Sequence, residues 1–89
     1  MIESELTIIN ELGLHARAAS KFVSCASRFG SKIQVSKDGQ WVDGKSIMSV
    51  MMLAAGKGSH LGLRVEGTDE EEASAAIHEL VNDFFGEGQ

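Results

Sequence analysis

The apolar residues of this chain recur with two different periods, and the change of period predicts where the strands and helices lie. The apolar run 6–9 predicts a first strand, and a repeat at helical spacing predicts a helix over residues 16–28. Alternating segments flank Asp38-Gly39, a dipeptide typical of tight turns, and predict a hairpin over 31–43. The apolar face predicted for the first helix consists of Ala18, Phe22, Cys25 and Phe29.

The second half of the chain predicts a short helix, a strand and a longer helix. Ser46 is a typical N-cap residue, and glycines 56 and 58 end the helix that follows it. Alternation over 61–65 predicts a half-buried strand, and Thr68-Asp69-Glu70-Glu71 matches a capping box at the start of the last helix. Residues 86–89 are expected to fray. The apolar face predicted for the last helix consists of Ala73, Ile77, Leu80 and Phe84.

This element order, β-α-β-β-α-β-α, predicts an α+β fold. Strands that alternate cleanly between apolar and polar residues need one covered face and one wet face. We therefore expect a two-layer α/β sandwich, with three helices on one face of a four-stranded antiparallel sheet. The 89 residues are expected to form a single domain, 1–89.

Composition and charge exclude several classes of function. A net charge of −5 argues against nucleic-acid binding, and no apolar run approaches the roughly 18 residues that span a membrane. The acidic first residues do not resemble a signal peptide, and the single cysteine, Cys25, cannot form an internal disulfide. We therefore expect a cytoplasmic protein. His60 and His78 lack partners at ligand spacing, so we expect surface histidines and no metal site.

The stretch from Gly13 to Ser20 has the features of an anion site. Gly13 permits a tight turn, and His15 would then be the N-cap of the first helix. The unpaired N–H groups of Ala16 and Arg17, the helix dipole and the Arg17 guanidinium all favour an anion there. A neutral imidazole is also a nucleophile. The alternative is that His15 is a solvated helix cap with no chemistry.

Two further patterns each have a structural alternative. Arg17, Lys21, Ser24 and Arg28 form one stripe at helical spacing, which is either a solvated face or a docking surface for acidic partners. The segment 39–46 satisfies the phosphate-loop pattern G-x-x-x-x-G-K-[ST]. Its first glycine, however, lies in the hairpin turn and strand-forming residues occupy the loop, which argues against nucleotide hydrolysis.

The string Gly13-Leu14-His15-Ala16-Arg17-Ala18-Ala19 closely resembles the active-site signature of the HPr family, the histidine phosphocarriers of the phosphotransferase system. That family usually has proline where this chain has Ala18, and a proline there is favourable but not chemically required. The segment 43–48 resembles the second signature of the family. The resemblance covers almost the whole chain and implies the strand order 1-4-2-3.

The resemblance also implies a function. Enzyme I would place a phosphoryl group from phosphoenolpyruvate on Nδ1 of His15, and the carrier would pass it to a histidine of an enzyme IIA. Arg17 and the backbone N–H of Ala16 would stabilise the phosphoryl group. Such a protein is a monomeric phosphoryl carrier without a cofactor rather than a stand-alone enzyme. The expected docking residues are Ser20, Lys21, Ser24, Arg28, Ile47, Met48 and Met51.

Three questions stay open from the sequence. Ala18 and the stretch 54–58 look more like the nitrogen-related NPr branch than the sugar-transport HPr, which is the alternative. A passive regulatory binding module without phosphotransfer is the alternative from a different class. In some lineages of the family, the serine that matches Ser46 is phosphorylated by a regulatory kinase, whereas the structural alternative makes Ser46 an N-cap only.

Overall fold

A computed structural model describes all residues, 1–89, and contains four strands and three helices. The order of these elements is the one that the sequence predicts. The bounds are β1 Ile2–Thr7, α1 Ala16–Ser27, β2 Lys32–Lys37, β3 Gln40–Asp43, α2 Ile47–Met52, β4 His60–Glu66 and α3 Glu70–Asn82, followed by a short turn of 3-10 type, Phe84–Gly86.

The strands form one antiparallel sheet in the order β1-β4-β2-β3, which confirms the α+β fold class and the implied strand order. The registers Leu6↔Leu61 and Ile33↔Val65 place apolar side chains on the same face. The three helices pack on that face, and the residues between the two layers form one buried core. Its largest members are Phe22, Phe85, Leu6, Ile8, Ile33, Leu61, Leu63 and Ile77.

The bounds of β1 and the start of α3 differ from the sequence prediction. β1 runs over 2–7 rather than 6–9, because its pairing with β4 begins at Ile2. The capping box at Thr68 does not form: Asp69 is the N-cap of α3, without a side-chain capping bond. The Asp69 carboxylate instead accepts hydrogen bonds from the N–H groups of Gly30 and Ser31. The loop at residues 30 and 31, distant in sequence, therefore binds the side chain of Asp69, which the local sequence pattern places at the helix start.

The prediction that residues 86–89 fray is wrong for Glu87. The chain leaves α3 through three consecutive residues with positive φ, at 57° for Phe84, 52° for Phe85 and 75° for Gly86. Phe85 is fully buried, whereas Phe84, which the sequence places on the apolar face of α3, is only half-buried and lies outside the helix. This left-handed turn brings Glu87 back over the start of α1, where hydrogen bonds hold its carboxylate.

The phosphate-loop pattern is a hairpin: Gly39 has a φ of 83° in the turn, and the next residues form β3. Cys25 is half-buried against the core rather than fully buried, and its thiol is free. His60 is exposed, but His78 is half-buried and bonds to Ser4 Oγ at 2.8 Å. No helix has the length and apolar character needed to cross a membrane.

Candidate functional site

The turn that precedes α1 is held by the backbone of the loop after α2. Gly13 has a φ of 66°, and the N–H of Leu14 donates to the carbonyl oxygen of Ala55 at 2.8 Å. A Cβ atom at position 13 would lie 2.5 Å from that same oxygen. Only glycine fits here, both because of its left-handed backbone and because of the close approach. The turn therefore determines where the next residue, His15, stands.

His15 is the N-cap of α1, as the sequence predicts. Its backbone is extended (φ −71°, ψ 177°), and its carbonyl oxygen accepts the first helical hydrogen bond, from Ala19 N–H at 2.8 Å. Its side chain makes no capping bond, and the first turn contains no acidic residue. The N–H groups of Ala16 and Arg17 therefore have no acceptor within the helix. The positive end of the dipole of α1 and these free donors suit an anion.

The imidazole of His15 is held by Glu87, 72 residues away in sequence. Nε2 of the ring bonds to Oε2 of Glu87, and the other oxygen, Oε1, accepts a hydrogen bond from Asn10 Nδ2 at 2.9 Å. The His15 side chain is 29% exposed and that of Glu87 only 11%. The ring's other nitrogen, Nδ1, makes no hydrogen bond within the protein.

The surroundings of Glu87 favour its ionised form. Burial by itself raises the pKa of the carboxyl, but the hydrogen bonds from His15 and Asn10 and the nearby charge of Lys21 together lower the pKa below its ordinary value. Asn10 is itself fully buried, and it also donates to the carbonyl oxygen of Gly13 at 2.8 Å. One amide side chain thus joins the turn before His15 to the carboxylate beside it.

Neither Glu87 nor Asn10 is predicted from the sequence as a site residue. A carboxylate at position 87 reaches His15 only through the left-handed turn at 84–86, and two phenylalanines with positive φ have no signature in a hydrophobic pattern. The available signal was the apolar pair Phe84-Phe85 just before Gly86, because a buried aromatic residue there anchors the last residues of the chain. Asn10 gives a weaker signal, as a polar residue between an apolar strand and a glycine turn.

An open depression surrounds the imidazole, with a volume of about 710 Å³. Arg17 lies on its wall, is exposed and forms no ion pair, so its guanidinium is available to an anion. Lys21 also lines the depression, but its Nζ donates to the carbonyl oxygen of Phe85 at 2.7 Å. The ammonium of Lys21 therefore supports the turn that carries Glu87 in addition to contributing surface charge.

The other predicted docking residues fall on two neighbouring surfaces. Ser20, Ser24 and Arg28 are exposed along α1 and line a groove against α3. On α2, Ser46 is the N-cap, and its Oγ accepts from the N–H of Ser49 at 3.3 Å, as predicted. The apolar side chains that α2 leaves exposed are Ile47 (41%), Met48 (72%) and Met51 (42%), together with Met52 (77%), which the sequence analysis did not name.

No group of three or more histidine, cysteine, aspartate or glutamate side chains is arranged to hold a metal ion. The groups that meet at the site around His15 are an imidazole, a carboxylate, a guanidinium and free backbone amides. Such a set can accept and stabilise a dianionic group on the imidazole.

The chain is similar to known proteins of one family over nearly its full length. A family model described as "PTS HPr component phosphorylation site" matches residues 2–83. The phosphocarrier protein HPr of Pseudomonas aeruginosa is 57% identical over 86 residues, 96% of each chain. The phosphocarrier protein HPr of Neisseria meningitidis serogroup A is 51% identical over 89 residues, the full length of both chains.

Solved structures agree as well. The crystal structure of HPr-C-His from Thermoanaerobacter tengcongensis superposes with a TM-score of 0.94, at 47% identity and with 98% of each chain covered. A structure of an HPr dimer from the same organism superposes with a TM-score of 0.79, at 47% identity and with 98% of this chain and 100% of that one covered. The family match, the identities over nearly the full length and the shared fold show that this chain belongs to the HPr family of phosphocarrier proteins.

Proposed function

We propose that His15 is the residue that carries the phosphoryl group and that Nδ1 is the atom to which it is attached. The observation that carries the proposal is the position of His15 at the N-cap of α1, beside amides that have no acceptor. Membership of the family implies a donor of enzyme I type and an acceptor of enzyme IIA type. The proposed role is therefore to receive the group from phospho-enzyme I, and ultimately from phosphoenolpyruvate, and to deliver it to a histidine of the acceptor.

The transfer needs no catalytic base. The lone pair on Nδ1 of neutral His15 attacks the phosphorus, and a new N–P bond forms. The bond between phosphorus and the donor breaks, and its electron pair stays with the donor. The protein must position His15 and stabilise the negative charge of the phosphoryl group. The free N–H groups of Ala16 and Arg17 and the guanidinium of Arg17 are the groups suited to that task.

Two surfaces beside His15 are proposed to dock the partners. One is the polar and basic face of α1 formed by Ser20, Lys21, Ser24 and Arg28, which would attract an acidic partner. The other is the exposed apolar face of α2 formed by Ile47, Met48 and Met51. Flexible methionine side chains adapt well to a contact surface. Together, the two surfaces offer charge complementarity around an apolar contact.

The test is phosphotransfer in vitro. Wild-type protein incubated with phosphoenolpyruvate and enzyme I should acquire an acid-labile phosphate, whereas His15→Ala should acquire none and keep its fold. The matched control is His60→Ala, which removes an exposed histidine from β4 and should leave phosphorylation unchanged. Wild-type protein that acquires no phosphate would instead support a passive regulatory binding module, and phosphorylation of His15→Ala would exclude His15 as the acceptor.

Within the family, we propose that the chain belongs to the nitrogen-related regulatory branch and acts in the cytoplasm. Ala18 in place of the usual proline and the stretch 54–58 support this branch. Sugar-transport HPr is the second candidate. Phosphorylation rates measured with each type of enzyme I in parallel distinguish the two, because the cognate donor should be the faster one at low protein concentration.

We also propose that the carrier works as a monomer and that Ser46 is open to a regulatory kinase. The exposed faces of α1 and α2 would be covered if copies associated through them, and transfer requires that they be free. Sedimentation at the protein concentration of the transfer assay tests the monomer. Incubation with a kinase that phosphorylates HPr proteins on serine, followed by mass spectrometry, tests Ser46 directly, with Ser46→Ala as control.

A further inference from the structure

We propose that Glu87 is a positioning residue that holds the imidazole of His15 in the tautomer with its proton on Nε2, so that Nδ1 has a free lone pair. This inference rests on the proposed function of His15. It goes beyond that function by assigning a role to the segment after α3, which contains none of the site residues predicted from the sequence. A neutral imidazole has two tautomers, and the hydrogen bond made by one nitrogen determines which of them is present.

The geometry allows only one direction for the hydrogen bond between the two side chains. An ionised carboxylate has acceptor oxygens and no donor, so the proton shared with Glu87 must come from Nε2 of His15. The second oxygen of Glu87 is occupied by Asn10 Nδ2 at 2.9 Å, which prevents the carboxylate from turning away. With its proton on Nε2, a neutral ring has no proton on Nδ1.

The backbone near Glu87 is held in place by contacts that do not involve His15. Phe85 is fully buried in the core, and its carbonyl oxygen accepts a hydrogen bond from Lys21 Nζ at 2.7 Å. Left-handed backbone at two phenylalanines is unfavourable and persists only where the surroundings require it. Here burial of the Phe85 ring and the bond from Lys21 meet that requirement. The carboxylate is therefore presented to the imidazole by the fold.

The hydrogen bond between His15 and Glu87 also stabilises the ring during phosphoryl transfer. Formation of the Nδ1–P bond from the neutral Nε2–H tautomer leaves the proton on Nε2, and the ring gains a formal positive charge. The carboxylate of Glu87 is already hydrogen-bonded to that N–H and compensates the charge. The electron pair of the broken bond stays with the phosphoryl donor, so no proton has to leave His15 during the transfer. The contribution of Glu87 thus begins before transfer and increases as the new bond forms.

The experiment compares wild type with Glu87→Gln and with Glu72→Gln, a variant with the same charge change at an exposed position of α3. Nitrogen-15 NMR of the His15 ring, recorded at alkaline pH where imidazole is neutral, reports the tautomer without any partner protein. Wild type and Glu72→Gln should show the proton on Nε2. Glu87→Gln should show a mixture, because an amide can either donate to Nε2 or accept from it.

Transfer from phospho-enzyme I is then measured on the same three proteins. Glu87→Gln should lower the rate at saturating donor by about tenfold, the lower end of the loss found when groups that orient metal-binding histidines are removed. The half-saturating concentration should not change, because Glu87 acts on the ring and not on the docked surfaces. Equal tautomer populations in wild type and Glu87→Gln would overturn the proposal, and so would an unchanged rate despite a shifted tautomer. If wild type itself is not phosphorylated, the proposed function fails, whereas the NMR result still decides whether Glu87 sets the tautomer.

Discussion

The backbone N–H of Leu14 donates to the carbonyl oxygen of Ala55 at 2.8 Å, and this bond ties the loop after α2 to the turn that precedes His15, the proposed phosphoryl acceptor. Ala55 is buried, and the neighbouring Gly13 lies so close to its carbonyl that a side chain has no room. The loop after α2 is therefore packed against the turn of the segment 13–19, which resembles the active-site signature of the family. We therefore expect a substitution in the loop after α2 to change the position of His15.

Gly13→Ala should destabilise the protein by about 2 kcal/mol or more, because alanine there is strained and its Cβ would meet backbone that cannot move aside. Phosphoryl acceptance should fall with it, since the turn positions His15. Gly39→Ala is the matched control, because Gly39 also has a positive φ (83°) but nothing lies within 4 Å of its missing Cβ. Chemical denaturation measures both. If the two variants lose the same stability, the close approach of position 13 to the carbonyl oxygen of Ala55 does not contribute to the cost of the Gly13→Ala substitution.

Arg17→Ala should slow phosphoryl transfer by about tenfold to a hundredfold while weakening partner binding much less, because its charge is needed where phosphoryl charge accumulates. Arg28→Ala removes the same charge from the other end of the α1 face, where the guanidinium lies 5.3 Å from the centre of the Phe29 ring. Single-turnover rates and dissociation constants for enzyme I, measured separately, distinguish the two effects. A larger loss of rate in Arg28→Ala than in Arg17→Ala would contradict the assignment.

Ser46→Asp should keep the stability of the fold or raise it by roughly 0.3–1 kcal/mol, because an acidic N-cap interacts favourably with the start of α2. The same charge lies beside the exposed Ile47 and Met48, so docking to an acidic partner should weaken several-fold. Thermal unfolding and the concentration dependence of phosphotransfer test the two halves of this prediction. Gln40→Glu, on the exposed β2–β3 hairpin, is the charge control. Wild-type transfer by Ser46→Asp at sub-saturating concentration would show that α2 does not face the partner.

The lowered pKa of Glu87 predicts that its contribution to stability depends on pH. Because the folded-state pKa lies below the ordinary value of 4.5, the carboxylate stabilises the fold above about pH 4.5, and this contribution is lost as the pH falls through the folded-state pKa. The free energy of unfolding of wild type should therefore exceed that of Glu87→Gln at neutral pH, and the difference should disappear in acid. A difference that stays constant down to pH 3 would show that the carboxylate does not titrate with folding.

Much of the fold follows from local pattern, because each element has its own signal. The alternation in β4 and the helical repeat in α1 each reflect one buried face, and burying those faces together requires two layers. Asp38-Gly39 marks the hairpin because both residues need a positive φ, at 54° and 83°. Gly13, His15 and Arg17 could be identified as a candidate site for the same reason: a glycine turn and a helix N-terminus are adjacent in sequence and therefore in space.

The partner of His15 could not be found in this way. Glu87 is 72 residues away, and it reaches the ring only because Phe85 enters the core and reverses the chain after α3. Local pattern favours fraying at 86–89, since glycine and polar residues near the end of a chain bury little surface. The tertiary structure reverses that preference through one buried aromatic ring and the bond from Lys21. Asp69 shows the same limit, because its carboxylate bonds to the backbone of residues 30 and 31 and not to its own helix.

The sequence by itself therefore determined the two layers, the order of strands and helices along the chain and the position of His15, the proposed nucleophile, because those depend on side chains that are neighbours along the chain. Only the tertiary structure decided how the imidazole is oriented and which of its nitrogens has a partner. That orientation comes from a carboxylate, a buried amide and a lysine at positions 87, 10 and 21. Residues so far apart in sequence come into contact only when the whole core has formed, so no local periodicity predicts the contact.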